Sequence, residues 1–139
     1  MLRFASLMLC LLFTLPAFAE RKESFGDLDV HYSVFNSSFL QPDIAAAAGL
    51  TRSKTGGVLN VAALKAGKNV AAKVSGQVKN LLGQSTELTF KQVPESGAVY
   101  YLAEFPMHER EVLKFSLSVQ VGDGAPNTFS FDQEVFPDE

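Results

Sequence analysis

The side chains able to do chemistry are few, and their spacing narrows what they can do. The chain has two histidines, His31 and His108, and one cysteine, Cys10. Cys10 lies inside the apolar run Phe4 to Phe13, so no thiol nucleophile remains downstream of it. A serine nucleophile needs a histidine base, and neither histidine is paired with one in a recognisable motif. GxSxG elbows, phosphate-cradling loops, GxGxxG turns and HExxH helices are all absent from the sequence. Met107-His108 joins a thioether to an imidazole, a ligand pair suited to copper. Neighbours on an extended segment point to opposite sides, however, which favours a solvated connection over a metal site. Metal handling by His31 and His108 together, with copper or zinc, is the alternative reading, and it requires folding to bring them close. Glu104, Glu109 and Glu111 supply carboxylates of the kind that hydrolyse glycosides in pairs, but they fall where an ordinary connection is expected. The expectation is a protein that is not an enzyme and holds no cofactor.

Binding chemistry is better represented. His31 precedes Asn36-Ser37-Ser38, a stretch matching an N-glycosylation sequon but equally suited to turns and caps. Arg52, in Arg52-Ser53-Lys54, offers a bidentate fork to a carboxylate or phosphate, with Asp43 or Asp29 as competing partners. These residues define an expected binding patch of His31, Asn36, Ser37, Ser38 and Arg52.

The elements that must position them are strands. Leu28, Val30, Tyr32 and Val34 alternate with polar residues, the period-two pattern of a half-buried strand. Further strands are expected over residues 58–64, 70–78, 87–93, 98–105, 113–121 and 129–135, separated by turn-forming sequences such as Lys65-Ala66-Gly67-Lys68 and Pro94-Glu95-Ser96-Gly97. Gly76, in the inward series of its strand, marks a bulge or a close backbone approach. Seven strands at this spacing predict an all-β, immunoglobulin-like antiparallel β-sandwich, with a small closed barrel as the other solution. One segment departs from the pattern: Gln41 to Gly49 reads as a short helix after the first strand. It has Pro42 at its start, Asp43 in its first turn, four alanines and a glycine stop. This helix is expected to cross one end of the sandwich or to join the two sheets.

The N-terminus assigns a compartment. Arg3, the apolar run and Ala17-Phe18-Ala19 make the charged, hydrophobic and small-residue parts of a secretory signal, cleaved after Ala19. The expected organisation is a signal peptide over 1–19 and a single domain over 20–139. Without Arg3 the remainder has 11 basic residues against 15 acidic, a balance near −4 that does not resemble a nucleic-acid binder. No second apolar stretch is long enough to span a membrane, and the acidic end Phe136-Pro137-Asp138-Glu139 is too short for an interaction tail. Without cysteine, the exported part must be held by packing alone.

The words Val30-His31-Tyr32-Ser33-Val34-Phe35-Asn36-Ser37-Ser38-Phe39-Leu40, followed by Pro42, Ile44-Ala45, Gly49-Leu50 and Arg52-Ser53, resemble an uncharacterised family of exported proteobacterial proteins, domain of unknown function 4426. The resemblance implies a Gram-negative periplasmic location and a small β-rich domain. It assigns no activity and no residue role. Together these features predict a soluble, periplasmic, non-catalytic binding or protein-interaction module, with another periplasmic or envelope protein as its partner.

Overall fold

The computed structural model describes residues 21–138, so the signal expected over 1–19 lies outside the described residues. The alternating segments form ten strands: β1 (Arg21–Phe25), β2 (Leu28–Asn36), β3 (Gly56–Lys65), β4 (Lys68–Val70), β5 (Lys73–Lys79), β6 (Ser85–Leu88), β7 (Lys91–Glu95), β8 (Ala98–Pro106), β9 (Glu111–Gln120) and β10 (Asn127–Val135). A 3-10 turn at Ser37–Phe39 and helix α1 (Pro42–Ala48) separate β2 from β3. One sheet runs β1-β2-β3-β8-β7, with β4 also paired to β3, and the other runs β10-β9-β5-β6. All the pairings are antiparallel. The result is an open two-sheet sandwich and not a closed barrel.

Ten strands replace the expected seven for three reasons. Arg21–Phe25 pairs with β2 as an additional edge strand. The expected strand over 70–78 divides, with β4 in the first sheet and β5 in the second. The expected strand over 87–93 divides in the same way into β6 and β7. The chain therefore switches sheets twice in mid-strand, and side-chain alternation carries no mark of a switch. Side chains do help to hold the first crossing. The Asn69 carboxamide imitates a peptide group, donating to the Val99 carbonyl at 3.1 Å and accepting from the Val99 amide at 2.7 Å. Just beyond it, the Ala72 amide donates to the Tyr101 hydroxyl at 2.8 Å.

Between the sheets lies an apolar core in which rings from both layers meet. Phe115 of β9 stacks on Phe131 at 5.0 Å and 14°, and meets Phe105 of β8 edge-on at 5.1 Å and 73°. Tyr32 of β2 packs on Phe131 at 4.4 Å. Close approach of the backbones is built in at Gly76, paired with Leu117: a Cβ there would lie 2.5 Å from the Ser116 carbonyl and 2.6 Å from Leu117 Cδ2. That is the approach expected from a glycine in an inward-facing series.

Helix α1 neither crosses the end of the sandwich nor joins the two sheets, since β2 and β3 on either side of it are neighbours in one sheet. It lies on the outer face of the larger sheet, where Ala45 and Ala48 join Leu40, Leu50, Val58, Val93 and Leu102 in a second apolar cluster. Alanines make this possible, because small side chains let a short helix sit close to a sheet. Gly49 closes it in the left-handed conformation (φ 69°), and the Leu50 amide donates to the Ala45 carbonyl at 2.8 Å. Burial of this face holds a seven-residue helix that would be marginal in water.

Candidate functional site

The alternation of β2 places His31 and Asn36 on opposite faces. Val30 and Tyr32 point into the core, so His31 is on the outer face, while Asn36 continues the inner series. Five strand residues also separate them by about 16 Å. His31 is flanked by Lys22 and Ala62 and stands apart from the other expected patch residues.

Asn36, Ser37, Ser38 and Arg52 do come together, and two of them, Asn36 and Ser38, close on the chain's own C-terminal segment. Asn36 Nδ2 donates to the Phe136 carbonyl at 2.7 Å and to Asp138 Oδ1 at 2.8 Å. The Ser38 hydroxyl donates to the other carboxylate oxygen of Asp138, and the Asp138 amide donates to the Lys54 carbonyl at 2.9 Å. Arg52 Nη2 donates to the Ser38 carbonyl at 2.8 Å, so neither Asp43 nor Asp29 is its hydrogen-bond partner. Ser37 is fully buried; its hydroxyl accepts from the Ser53 amide at 2.9 Å and donates to the Ser53 carbonyl at 3.1 Å. The short acidic end thus has an intramolecular role: it bolts the last residues to the end of β2 and to the loop before β3.

Electrostatics gives this latch a pH signature. Hydrogen bonds from Ser38 and Asn36 hold the Asp138 carboxyl below its ordinary value of 3.8, with Lys54 adding to the effect. A carboxylate with a depressed folded-state value adds stability that is complete above its unfolded value and is lost as pH falls through the folded one. Asp138→Asn is therefore expected to melt at lower temperature than wild type at neutral pH. That gap should shrink on acidification below 3.8. Thermal melting of both proteins across pH checks this, and a gap independent of pH would show that the charge is not what holds the latch.

His108 sits elsewhere, lining a cavity of about 80 Å3 with Glu111, Asn80, Gln84 and Thr86. Met107 points away from it and is buried in the core. His31 is not in this cavity, and among the described residues no three His, Cys, Asp or Glu side chains gather where they would hold a metal ion.

Larger concavities lie elsewhere, among them an open one of about 330 Å3 by Ser53, Thr55, Gly56, Glu104, Phe105 and Pro106. A shallow one of about 640 Å3 lies on the outer face of the smaller sheet over Ser75, Gln77, Ser116, Ser118, Thr128 and Ser130. A more enclosed one of about 350 Å3 lies between α1 and the larger sheet. Its floor crosses four strands, with Phe35 from β2, Asn60 from β3, Tyr100 and Leu102 from β8, and Val93 and Glu95 from β7; Leu40 and Ile44 form the opposite wall. Asn60 stands out here. It lies among Val58, Leu59, Val61, Ala62 and Ala63, all buried, and its Oδ1 is buried with no hydrogen-bond partner. An unsatisfied buried acceptor costs about 1–3 kcal/mol, so its presence beside a cavity is informative. Sequence reasoning passed over Asn60, although a lone polar residue in a strand that is apolar on both faces is a usable signal.

This geometry defines a class: an antiparallel β-sandwich with one helix laid on an outer face over a cavity large enough for a small molecule. Within that class, the chain belongs to the family described as Domain of unknown function (DUF4426), whose model matches residues 22–138. A crystal structure of a DUF4426 family protein from Pseudomonas aeruginosa PAO1 is 52% identical with a TM-score of 0.84, over 86% of this chain and 97% of that one. FetP of uropathogenic Escherichia coli strain F11, recombinantly expressed in the periplasm of E. coli, is 16% identical with a TM-score of 0.65, over 87% of this chain and 99% of that one. A copper-bound variant of FetP is likewise 16% identical with a TM-score of 0.65, over 86% and 91%. At that identity the likeness to FetP is one of fold. No curated protein matches the chain. Among the described residues no helix is long and apolar enough to cross a membrane.

Proposed function

We propose that the protein is an exported, non-catalytic binding module of the bacterial periplasm, and that its site is the cavity under α1. The observation that supports this most is the orphaned Asn60 Oδ1 beside a space whose walls are both apolar and polar. Its volume of about 350 Å3 is at the lower end of the range of small-molecule sites, roughly 300–1,000 Å3. Apolar side chains interrupted by Asn60, Tyr100 and Glu95 suit a compact amphipathic ligand that brings a hydrogen-bond donor. Glu95, on the floor toward the β7–β8 turn, favours a donor that is an amine.

The test uses 1-aminoanthracene, an apolar fluorophore with an amino donor. Saturable enhancement of its fluorescence is expected with the wild-type protein. Ile44→Trp, which fills the cavity from the helix side, should abolish it. Asn60→Leu should weaken it about tenfold, the worth of a hydrogen bond of about 1.4 kcal/mol. Enhancement that survives Ile44→Trp would place the ligand elsewhere and end this reading.

The rival reading is periplasmic copper or zinc handling. It has behind it the fold shared with FetP, whose variant is copper-bound. His31 and His108, the residues it would use, lie in different parts of this molecule.

A further inference from the structure

The most exposed large apolar side chains are neither in the cavity nor on a broad face. Leu81 and Leu82 occupy the tight connection between β5 and β6 and are 82% and 85% exposed. Exposed leucines in a floppy loop would mean little, since such a loop can fold its side chains back. This loop is braced. The Asn80 carboxamide oxygen accepts from the Leu82 amide at 3.0 Å and from the Gln84 amide at 2.9 Å. Its nitrogen donates to Gln84 Oε1 at 2.7 Å. Backbone bonds from Asn80 to the Gln84 carbonyl and from Gly83 to the Asn80 carbonyl, both 3.0 Å, close the turn. The two leucines are held out into solvent by a preorganised support.

The charge beside this tip is the second observation. Lys79, the last residue of β5, is directly opposite Lys114 of β9. Both are exposed, and neither has an ion-pair partner among the described residues. Like charges directly across a strand pair destabilise it, unless an anion lies against both. Of the acidic neighbours, Asp132 stands directly opposite Lys114 on the same face without an ion pair to it, Glu134 is engaged by Arg110 at 2.9 Å, and Glu111 lines the small cavity with His108 behind the turn. Lys79 is thus the cation of the pair with no carboxylate across from it. Val112, two residues before Lys114, adds a further partly exposed apolar group to this end of the sheet.

We propose that the Leu81-Leu82 tip and the Lys79–Lys114 pair form a docking point for an anionic lipid surface. A convex apolar tip needs an acceptor that yields around it, and the acyl boundary of a bilayer does so without a preformed pocket. The lysine pair then sits at headgroup depth, where anionic phosphates relieve its repulsion. Association is shallow and reversible, because two leucines insert far less apolar area than an amphipathic helix does.

The protein as recovered after export is to be sedimented with vesicles of phosphatidylethanolamine containing phosphatidylglycerol, and with vesicles of phosphatidylcholine alone. Binding to the anionic vesicles is expected, weakening as salt is raised because the lysines act through a screened field. Leu81→Ser with Leu82→Ser should lower partitioning about tenfold or more. Lys79→Gln with Lys114→Gln should remove the preference for phosphatidylglycerol. The leucine variant should melt at the wild-type temperature, since both side chains are exposed, and the lysine variant at that temperature or somewhat above it, since it removes the repulsion. No sedimentation of the wild type, or sedimentation unchanged by the leucine variant, overturns the proposal and leaves the tip to a protein partner's groove.

Discussion

Phe115→Ala is expected to lower the unfolding free energy by about 3–5 kcal/mol, the largest loss from any single truncation in this molecule. Phe115 is fully buried and is one of the rings through which the two sheets meet. It stacks on Phe131 within its own sheet and presses edge-on against Phe105 of the other. Truncation removes the transferred apolar surface and both ring contacts. It also leaves a hole that strands pinned by their hydrogen bonds cannot close. Residues 21–138 contain no cysteine, so no disulfide supports the sandwich when its core is weakened. Urea denaturation at constant m-value measures the effect. A loss below about 1 kcal/mol would mean that the sheets collapse around the vacancy, and that the core is far more plastic than its packing implies.

The second large effect is expected from adding a single methyl group. Gly57 pairs with Phe105 across β3 and β8, and the Phe105 ring lies over it. A Cβ at Gly57 would meet Phe105 Cζ at 2.3 Å and Cε2 at 2.4 Å. On a surface strand the ring would swing aside. Here it is 2% exposed and backed by Phe115, so it has nowhere to go. Gly57→Ala should therefore cost about 1–3 kcal/mol through overpacking, although alanine is ordinarily the milder residue in a strand. The double variant Gly57→Ala, Phe105→Leu separates this cause from any other, since a smaller side chain at 105 relieves the contact. The two changes together should cost less than the sum of their separate effects. Strict additivity would show that the glycine is needed for its backbone and not for the ring.

These two sites also mark how far the sequence could be read. Inward and outward positions on β2, β9 and β10 follow from alternation, because one face of each strand is buried and the period is two. The turn at Ser96-Gly97 was equally legible: its two residues take φ of 51° and 82°, as a tight hairpin requires. Which inward residue lies over which was not legible, and the Gly57–Phe105 contact depends on the register of two strands some fifty residues apart in the chain. The candidate site shows the same division. Asn36, Ser38 and Arg52 were legible as polar groups suited to binding, but Asn36 and Ser38 engage the C-terminal segment a hundred residues away, while Arg52 donates to the Ser38 carbonyl. Local spacing cannot reveal a carboxylate delivered by the far end of the chain. The cavity under α1 was hidden for a related reason, since its lining comes from four strands and a helix.

By itself, the sequence determined the class of fold, the helix between the first long strand and the next, and the family, because these rest on periodicity, turn chemistry and the chain's own distinctive words. Only the tertiary structure decided that the chain changes sheets after β4 and again after β6, which face α1 covers, and that Asn36 and Ser38 latch the C-terminal segment. Those outcomes depend on contacts between residues distant in sequence. Burial energy selects such contacts through the combined shape of many side chains, and no short stretch of the chain contains that shape.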